Sequence, residues 1–163
     1  LVLSTLHTND AATAIPRLSD MKVEPFLVAS TVNIIVAQRL VRKICDSCKT
    51  GQSITRGELV KHIPEDVVTR HFGGEATFSV YKGKGCKICH FTGYSGRLGV
   101  FEVLEVTKEI RKLIAEKNDS DVIGAAAFKE GMSTMLDDGL DKVVKGYTTV
   151  EEVIRVTKVE EAV

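Results

Sequence analysis

The four cysteines restrict the fold of this chain more than any other feature of its sequence. They form two pairs, Cys45–Cys48 and Cys86–Cys89, each with two residues between the cysteines, and no cysteine is left over. This spacing lets a tight turn direct two thiolates toward one point, and two such turns supply the four sulfur ligands of structural Zn2+. The sequence therefore predicts a tetracysteine zinc site, with a helical insertion between the pairs.

The residues around the pairs favour a metal site. Gly83 and Gly85 precede the second pair, and we expect them to form flexible turns. Lysines flank both pairs, and their charge would offset the two negative charges of a zinc tetrathiolate; they are Lys43, Lys49, Lys84 and Lys87.

Three other interpretations of the cysteines stay open at this point. A dithiol redox centre needs only one pair, and two disulfides suit an oxidising compartment, for which nothing else in the sequence argues. The string Cys86-Lys-Ile-Cys89-His90 also matches the pattern of covalent haem attachment, with His90 as axial ligand. Haem leaves Cys45 and Cys48 unexplained, whereas zinc uses all four cysteines and makes His90 a bystander.

Composition narrows the choice of partners. The 163 residues are 44% apolar, which indicates a globular chain. Lys plus Arg equals Asp plus Glu at 22 each, so the chain has no general electrostatic attraction to nucleic acid or to anionic membranes. The longest apolar stretch, Phe26–Val36, is interrupted by polar residues and is shorter than the roughly 20 residues of a membrane-spanning helix. The chain opens on Leu1 without a starting Met, so we expect a piece of a longer protein.

The first ten residues predict a ligand-binding edge. Leu1–Leu6 is strongly apolar and predicts a buried strand, and the polar run His7–Asp10 that follows predicts a helix cap. Ligands of α/β proteins bind at such carboxyl edges of strands, which makes His7 a candidate. The competing interpretation is a histidine that only satisfies a loop hydrogen bond.

The rest of the chain predicts a mixture of helices and strands. Pro25 is expected to begin a helix, and residues 33–44 are expected to form a strand. Arg39 and Arg42 lie on this strand, where they are either solvated edge residues or ligands of a phosphate group. Between the cysteine pairs we expect helices at 56–63 and 65–72 and a strand at 77–81, then a strand at 98–106. Four helices follow, with predicted caps at Thr107, Ser120 and Thr149, and Glu151 pairs with Arg155 across one helical turn.

Several catalytic motifs are absent from the sequence. It contains no G-x-x-x-x-G-K-[ST], no G-x-S-x-G and no H-E-x-x-H. This chain is therefore not expected to hold a nucleoside triphosphate by itself.

Several ordered segments resemble the hexameric motor ATPases of type II secretion and type IV pilus assembly, of the GspE, PulE and PilB kind. Leu3–Asp10 is similar to the histidine box of that family, and Ala37–Arg42 to its approach to the cysteines. Gly93–Val103, Gly131–Gly139 and Lys145–Arg155 are similar to its strand after the cysteines and its terminal helices. The resemblance spans nearly the whole chain.

The resemblance implies an α/β fold, the C-terminal fragment of a RecA-like P-loop ATPase domain with a tetracysteine zinc subdomain and a terminal helical bundle. It implies three parts: 1–44 as the end of the ATPase core, 45–106 as the zinc subdomain, and 107–163 as the helical subdomain. The P-loop and the acidic boxes would precede Leu1, so we expect this segment alone to be inactive.

The resemblance also implies roles for single residues. His7 would be the histidine that contacts the γ-phosphate region of ATP, Thr5 would help to position that edge, and the four cysteines would hold structural zinc. ATP and Mg2+ would bind only the full-length protein, a ring of six subunits on the cytoplasmic face of the bacterial inner membrane. Its partners would be inner-membrane platform proteins, with peripheral membrane association only and no nucleic acid. The alternative function is a stand-alone zinc module that binds nucleic acid.

Overall fold

The computed structural model describes residues 1–157 and divides them between two compact units. The first unit contains Leu1–Gln38 and Phe101–Thr134, and the second contains Arg39–Val100 and the chain from Met135 onward. In chain order the elements are α1 (Ala14–Asp20), α2 (Pro25–Thr31), β1 (Ile34–Ile44), β2 (Lys49–Thr55), α3 (Arg56–Leu59), α4 (Glu65–Phe72), β3 (Thr77–Gly83), β4 (Tyr94–Glu105), α5 (Lys108–Ala115), α6 (Ser120–Lys129), α7 (Met135–Val144) and α8 (Val150–Thr157). The fold is mixed α/β, as predicted. No helix within residues 1–157 is long and apolar enough to cross a bilayer.

Helices build the core of the first unit. Helix α2 contacts α1 and α5, and α5 contacts α6, around buried side chains that include Ile15, Val28, Leu104, Ile110 and Ile123. Pro25 stands at the first turn of α2, as predicted, where its missing N–H leaves no bond unmade. Thr107 caps α5 by accepting from the Ile110 N–H, also as predicted.

The second unit contains a hairpin and the last two helices. Strands β2 and β3 pair antiparallel, with a register that runs from Lys49 opposite Gly83 to Thr55 opposite Thr77. Helix α7 contacts α4, β3 and α8 over a core that includes Val41, Leu59, Val68, Leu140 and Val153. The predicted insertion between the cysteine pairs is therefore two strands and two short helices.

Strands β1 and β4 form a second two-stranded sheet. The Val106 N–H donates to the Asn33 carbonyl beside one end of the pair, and the Cys45 N–H donates to the Gly93 carbonyl beside the other. The start of β1 thus faces the end of β4, which makes the pair antiparallel. This pairing brings the first cysteine next to the chain that follows the last one.

Several local expectations from the sequence are wrong. Residues 1–6 form no strand, and Leu1, Val2 and Leu3 are exposed, because no strand within the described residues pairs with them. Asp10 accepts from the Thr13 N–H in a turn, and α1 begins only at Ala14. Helix α6 is capped by Asp119, not by Ser120, because the Asp119 carboxylate accepts from Val122.

The two compact units have different bounds from the three parts predicted from the resemblance. Their boundaries lie within β1 and β4, after Gln38 and Val100, rather than at 44 and 106. Helices α5 and α6 belong to the first unit and α7 and α8 to the second. Separate roles for 1–44, 45–106 and 107–163 in a longer protein stay a prediction.

Candidate metal centre

The two cysteine pairs occupy the turns that join the strands. The first knuckle (Cys45–Cys48) connects β1 to β2, and the second knuckle (Cys86–Cys89) lies between β3 and β4. Pairing of β2 with β3, and the hydrogen bond from Cys45 to Gly93, bring both knuckles to the same place. The predicted juxtaposition of all four cysteines is therefore confirmed.

The four sulfur atoms all lie within 4.8 Å of one another, close enough to hold one metal ion. The Sγ–Sγ distances are 3.9 Å for Cys45–Cys86, 3.8 Å for Cys48–Cys89 and 3.7 Å for Cys86–Cys89. Four sulfurs about 2.3 Å from one Zn2+ at tetrahedral angles are about 3.8 Å apart. All four cysteines are free, and within residues 1–157 theirs is the one group of three or more candidate ligands close enough to hold a metal ion. His90 lies outside this group and is exposed.

The pKa values of Cys48 and Cys89 are shifted in opposite directions by their surroundings. Burial raises the pKa of Cys48 to about 12. Burial also acts to raise the pKa of Cys89, but the N–H groups of Cys86 and Gly93 donate to its Sγ at 3.2 and 3.3 Å, and these bonds contribute to lowering it to about 6. A bound divalent cation deprotonates coordinating thiols, so all four sulfurs would be thiolates around a metal.

The glycines near the second knuckle allow close backbone contact rather than flexible turns. Gly93 has φ +80°, and a Cβ built on it would lie 2.7 Å from the Gly83 carbonyl oxygen. Gly85 has φ +89°, and its Cβ would lie 2.7 Å from the carbonyl oxygen of Phe91. A side chain at these positions would separate the two backbone segments that carry the second knuckle.

The lysines beside the knuckles differ in their surroundings. Lys43 forms an ion pair with Asp46 at 2.9 Å, and the Lys49 ammonium lies 4.4 Å from the centroid of the Tyr81 ring. Lys84 and Lys87 are exposed. Two of the four lysines expected to offset the thiolate charge therefore have specific partners of their own.

A buried carboxylate that the sequence interpretation missed binds Arg42, which precedes the first knuckle by three residues. Glu152 is 2% exposed and accepts from the Arg42 N–H at 2.9 Å and from the Arg42 guanidinium at 2.6 Å. Arg155 also donates to both carboxylate oxygens, at 3.0 and 2.7 Å. Burial alone would raise the pKa of Glu152, but hydrogen bonds from Arg155 and Arg42 lower it to about 2.

The Glu152 cluster (Arg42, Tyr94, Glu152 and Arg155) corrects two predictions. Arg155 pairs with Glu152, one residue beyond the predicted Glu151. Arg42 is an ion-pair partner of Glu152, and its guanidinium carbon lies 4.2 Å from the centroid of the Tyr94 ring. The Thr149 cap predicted the start of α8, but no local pattern connected Glu152 to Arg42.

Thr5 and His7 belong to the first compact unit, whereas the four cysteines of the metal centre belong to the second. Both are exposed residues of the segment that precedes α1 and has no regular structure. Arg39 is exposed as well. The nucleotide roles of Thr5 and His7 stay a prediction.

Comparison with known proteins places the chain in a family. The sequence model of the family described as "Type II/IV secretion system protein" matches residues 1–155. The chain belongs to this family. The type IV pilus assembly ATPase PilB of Pseudomonas aeruginosa is 42% identical over 159 residues, which are 97% of this chain and 27% of that protein.

Other members of the type II/IV secretion family are similarly related. PilB of Thermus thermophilus is 43% identical over 158 residues, which are 94% of this chain and 17% of that protein. The type II secretion system protein E of Pectobacterium carotovorum is 40% identical over 160 residues, which are 98% of this chain and 30% of that protein. The chain thus spans less than a third of the length of these relatives.

Proposed function

We propose that this chain is the C-terminal part of a motor ATPase of type II secretion or type IV pilus assembly, and that it binds one structural Zn2+. Membership of the type II/IV secretion family supports the first half of this proposal. The four sulfur atoms support the second half, because all lie within 4.8 Å of one another and three of their six separations, at 3.7 to 3.9 Å, match those of tetrahedral zinc.

The donor set supports a structural role for the metal. Four cysteine ligands leave no position for water or substrate on a tetrahedral ion, so zinc bound by Cys45, Cys48, Cys86 and Cys89 would do no catalysis. When bound, it supplies folding free energy and joins the β1–β2 turn to the segment between β3 and β4. The N–H groups that donate to Cys89 hold its sulfur in the orientation for binding.

In the full-length protein, His7 and Thr5 would serve an ATP site on a RecA-like core. The imidazole of His7 is exposed and could donate to the charge that develops on the γ-phosphate, where electrostatics and positioning account for most of the rate. The P-loop and the Mg2+-holding acidic residues would come from the remainder of the protein. Six subunits would form a ring on the cytoplasmic face of the inner membrane and work with platform proteins there.

Metal analysis combined with X-ray absorption tests the proposed zinc site. We expect one zinc per purified chain, with a shell of four sulfurs at about 2.3 Å and no nitrogen ligand. Cys86→Ser should lose the metal, whereas the matched control His90→Ala should retain it with an unchanged sulfur shell. A metal-free native chain, or a haem absorbance band, would contradict the proposal.

A further inference from the structure

The second knuckle exposes two large apolar side chains. Ile88, between the cysteines, is 70% exposed, and Phe91, two residues after Cys89, is 73% exposed. No other large apolar residue described in the second unit is exposed by more than 47%. We name Ile88 and Phe91 the knuckle tip.

The backbone fixes the knuckle tip in its exposed position. The Phe91 N–H donates to the Cys86 carbonyl at 2.8 Å, and the His90 N–H donates to the Lys87 carbonyl. His90 and Phe91 have φ of 50° and 60°, in the left-handed region that glycine favours. The aromatic ring is therefore attached to a turn that the hydrogen bonds hold, rather than to a freely moving loop.

The chain segment that carries the knuckle tip has formal charges of one sign. Residues 76–101 contain no Asp or Glu, although the whole chain is electrically balanced. The same segment carries exposed cationic side chains at Lys82, Lys84, Lys87 and Arg97, together with the exposed imidazole of His90. The acidic residue of the first knuckle, Asp46, is paired with Lys43. A surface that complements this region is anionic at its rim and apolar beneath.

We propose that the knuckle tip docks on a membrane surface that carries anionic lipids, with Ile88 and Phe91 inserted below the headgroups and the lysines in contact with phosphates. Apolar side chains combined with adjacent basic residues are the usual requirements for interfacial binding. The inference deepens the proposed function, since it assigns residues to the membrane location proposed there.

Vesicle co-sedimentation of the zinc-loaded chain tests the docking surface. We expect binding to vesicles of mixed phosphatidylglycerol and phosphatidylcholine, weakened by salt, and none to pure phosphatidylcholine. The double change Ile88→Ser with Phe91→Ser should lower binding at least tenfold. The matched control is Phe26→Ser with Ile34→Ser, because these residues are 63% and 59% exposed in the first unit, and it should leave binding unchanged.

Charge reversal separates the contribution of the lysines. Lys84→Glu with Lys87→Glu should weaken vesicle binding by more than about 25-fold, since the loss of each lysine near an anionic surface costs about fivefold and the new carboxylates add repulsion. Lys61→Glu with Lys108→Glu, at exposed positions elsewhere, is the control. Equal loss in both pairs, or binding that survives the change of the tip, would overturn the proposal.

Fluorescence gives a second readout that does not depend on truncating the tip. The chain contains no tryptophan, so Phe91→Trp introduces a single fluorophore. Its emission should shift to the blue with anionic vesicles and be quenched by brominated lipid, whereas Phe26→Trp should show neither effect. An unshifted Phe91→Trp in a zinc-loaded sample refutes the inference. These assays contain no ATP, so their failure leaves zinc content and ATP turnover as separate tests of the proposed function.

Discussion

Glu152 is the residue whose surroundings differ most from what its sequence neighbours suggest. Two arginines surround a carboxylate that is 2% exposed, and one of them, Arg42, lies far away in sequence. Its pKa in the fold is about 2, against an ordinary value of 4.5. The ionised form is therefore the one that stabilises the fold, and protonation removes that stabilisation.

The Glu152 cluster predicts acid sensitivity with a defined sign. Because the fold lowers the pKa of Glu152, its ionised carboxylate contributes about 3 kcal/mol to the free energy of unfolding. This contribution is complete above about pH 5 and is lost as the pH falls toward 2. Urea unfolding of the native chain and of Glu152→Gln should differ by about that amount at pH 7, and the difference should shrink on acidification. Zinc contributes equally to the free energy of unfolding of the native chain and of Glu152→Gln, so the difference between them does not contain the zinc contribution. Glu151→Gln is the control, and an equal effect from it would contradict the assignment.

Gly93 permits a contact that no other residue would allow. With φ +80° and the Gly83 carbonyl 2.7 Å from the position of a Cβ, we expect Gly93→Ala to destabilise the chain by about 1–3 kcal/mol and to weaken zinc binding. Gly74→Ala is the matched control, because a Cβ there would meet nothing within 4 Å. Thermal unfolding and competition with a zinc chelator measure both effects. Equal behaviour of the two variants would show that the close approach is unimportant.

At the scale of elements, the metal centre and the last two helices belong to one compact unit. The Ile44 N–H donates to the Tyr147 carbonyl, and Thr148 Oγ1 donates to the Arg42 carbonyl. The loop before α8 therefore holds the strand that leads into Cys45. Loss of the metal should therefore destabilise α7 and α8 as well as the two knuckles.

Hydrogen exchange tests how far the effect of zinc extends. Since thiolate coordination contributes roughly 10 kcal/mol or more in small sites, we expect Cys86→Ser or chelation to remove amide protection from residues 39–100 and from α7 and α8. Helices α5 and α6, which belong to the first unit, should keep most of their protection. Unchanged exchange in residues 39–100 after zinc removal would refute this assignment.

At the scale of the whole molecule, the feature with the clearest consequence is that the sequence contains no P-loop motif. We therefore expect the isolated chain to show no ATP turnover in a phosphate-release assay. In the full-length protein, His7→Ala should lower kcat by about 10²-fold or more, if the imidazole acts as an electrostatic donor. The exposed Asn9→Ala is a control on the same segment. If the isolated chain hydrolysed ATP and His7→Ala abolished that activity, the result would contradict the proposal that the ATP site needs residues from the remainder of the protein.

The sequence was informative where structure is encoded locally and uninformative where it depends on distant partners. Cysteine spacing, Pro25 and Thr107 act over a few residues. As predicted, the four cysteines lie close together, Pro25 begins α2 and Thr107 caps α5. Leu1–Leu6 was predicted as a strand from apolar content alone, but a strand needs a neighbour that the described residues do not provide. The Glu152–Arg42 pair joins residues 110 positions apart, a separation at which periodicity carries no information.

The two knuckles are turns made at different times during synthesis, and this has a consequence for production of the protein. Cys45 and Cys48 leave the ribosome before Cys86 and Cys89, so each new molecule first presents half of a tetrahedral site. Two such halves from different molecules together supply four sulfurs, the same number as one finished centre. Zinc in excess during crowded expression would therefore crosslink nascent chains, and expression with the metal supplied slowly should yield the most monomer.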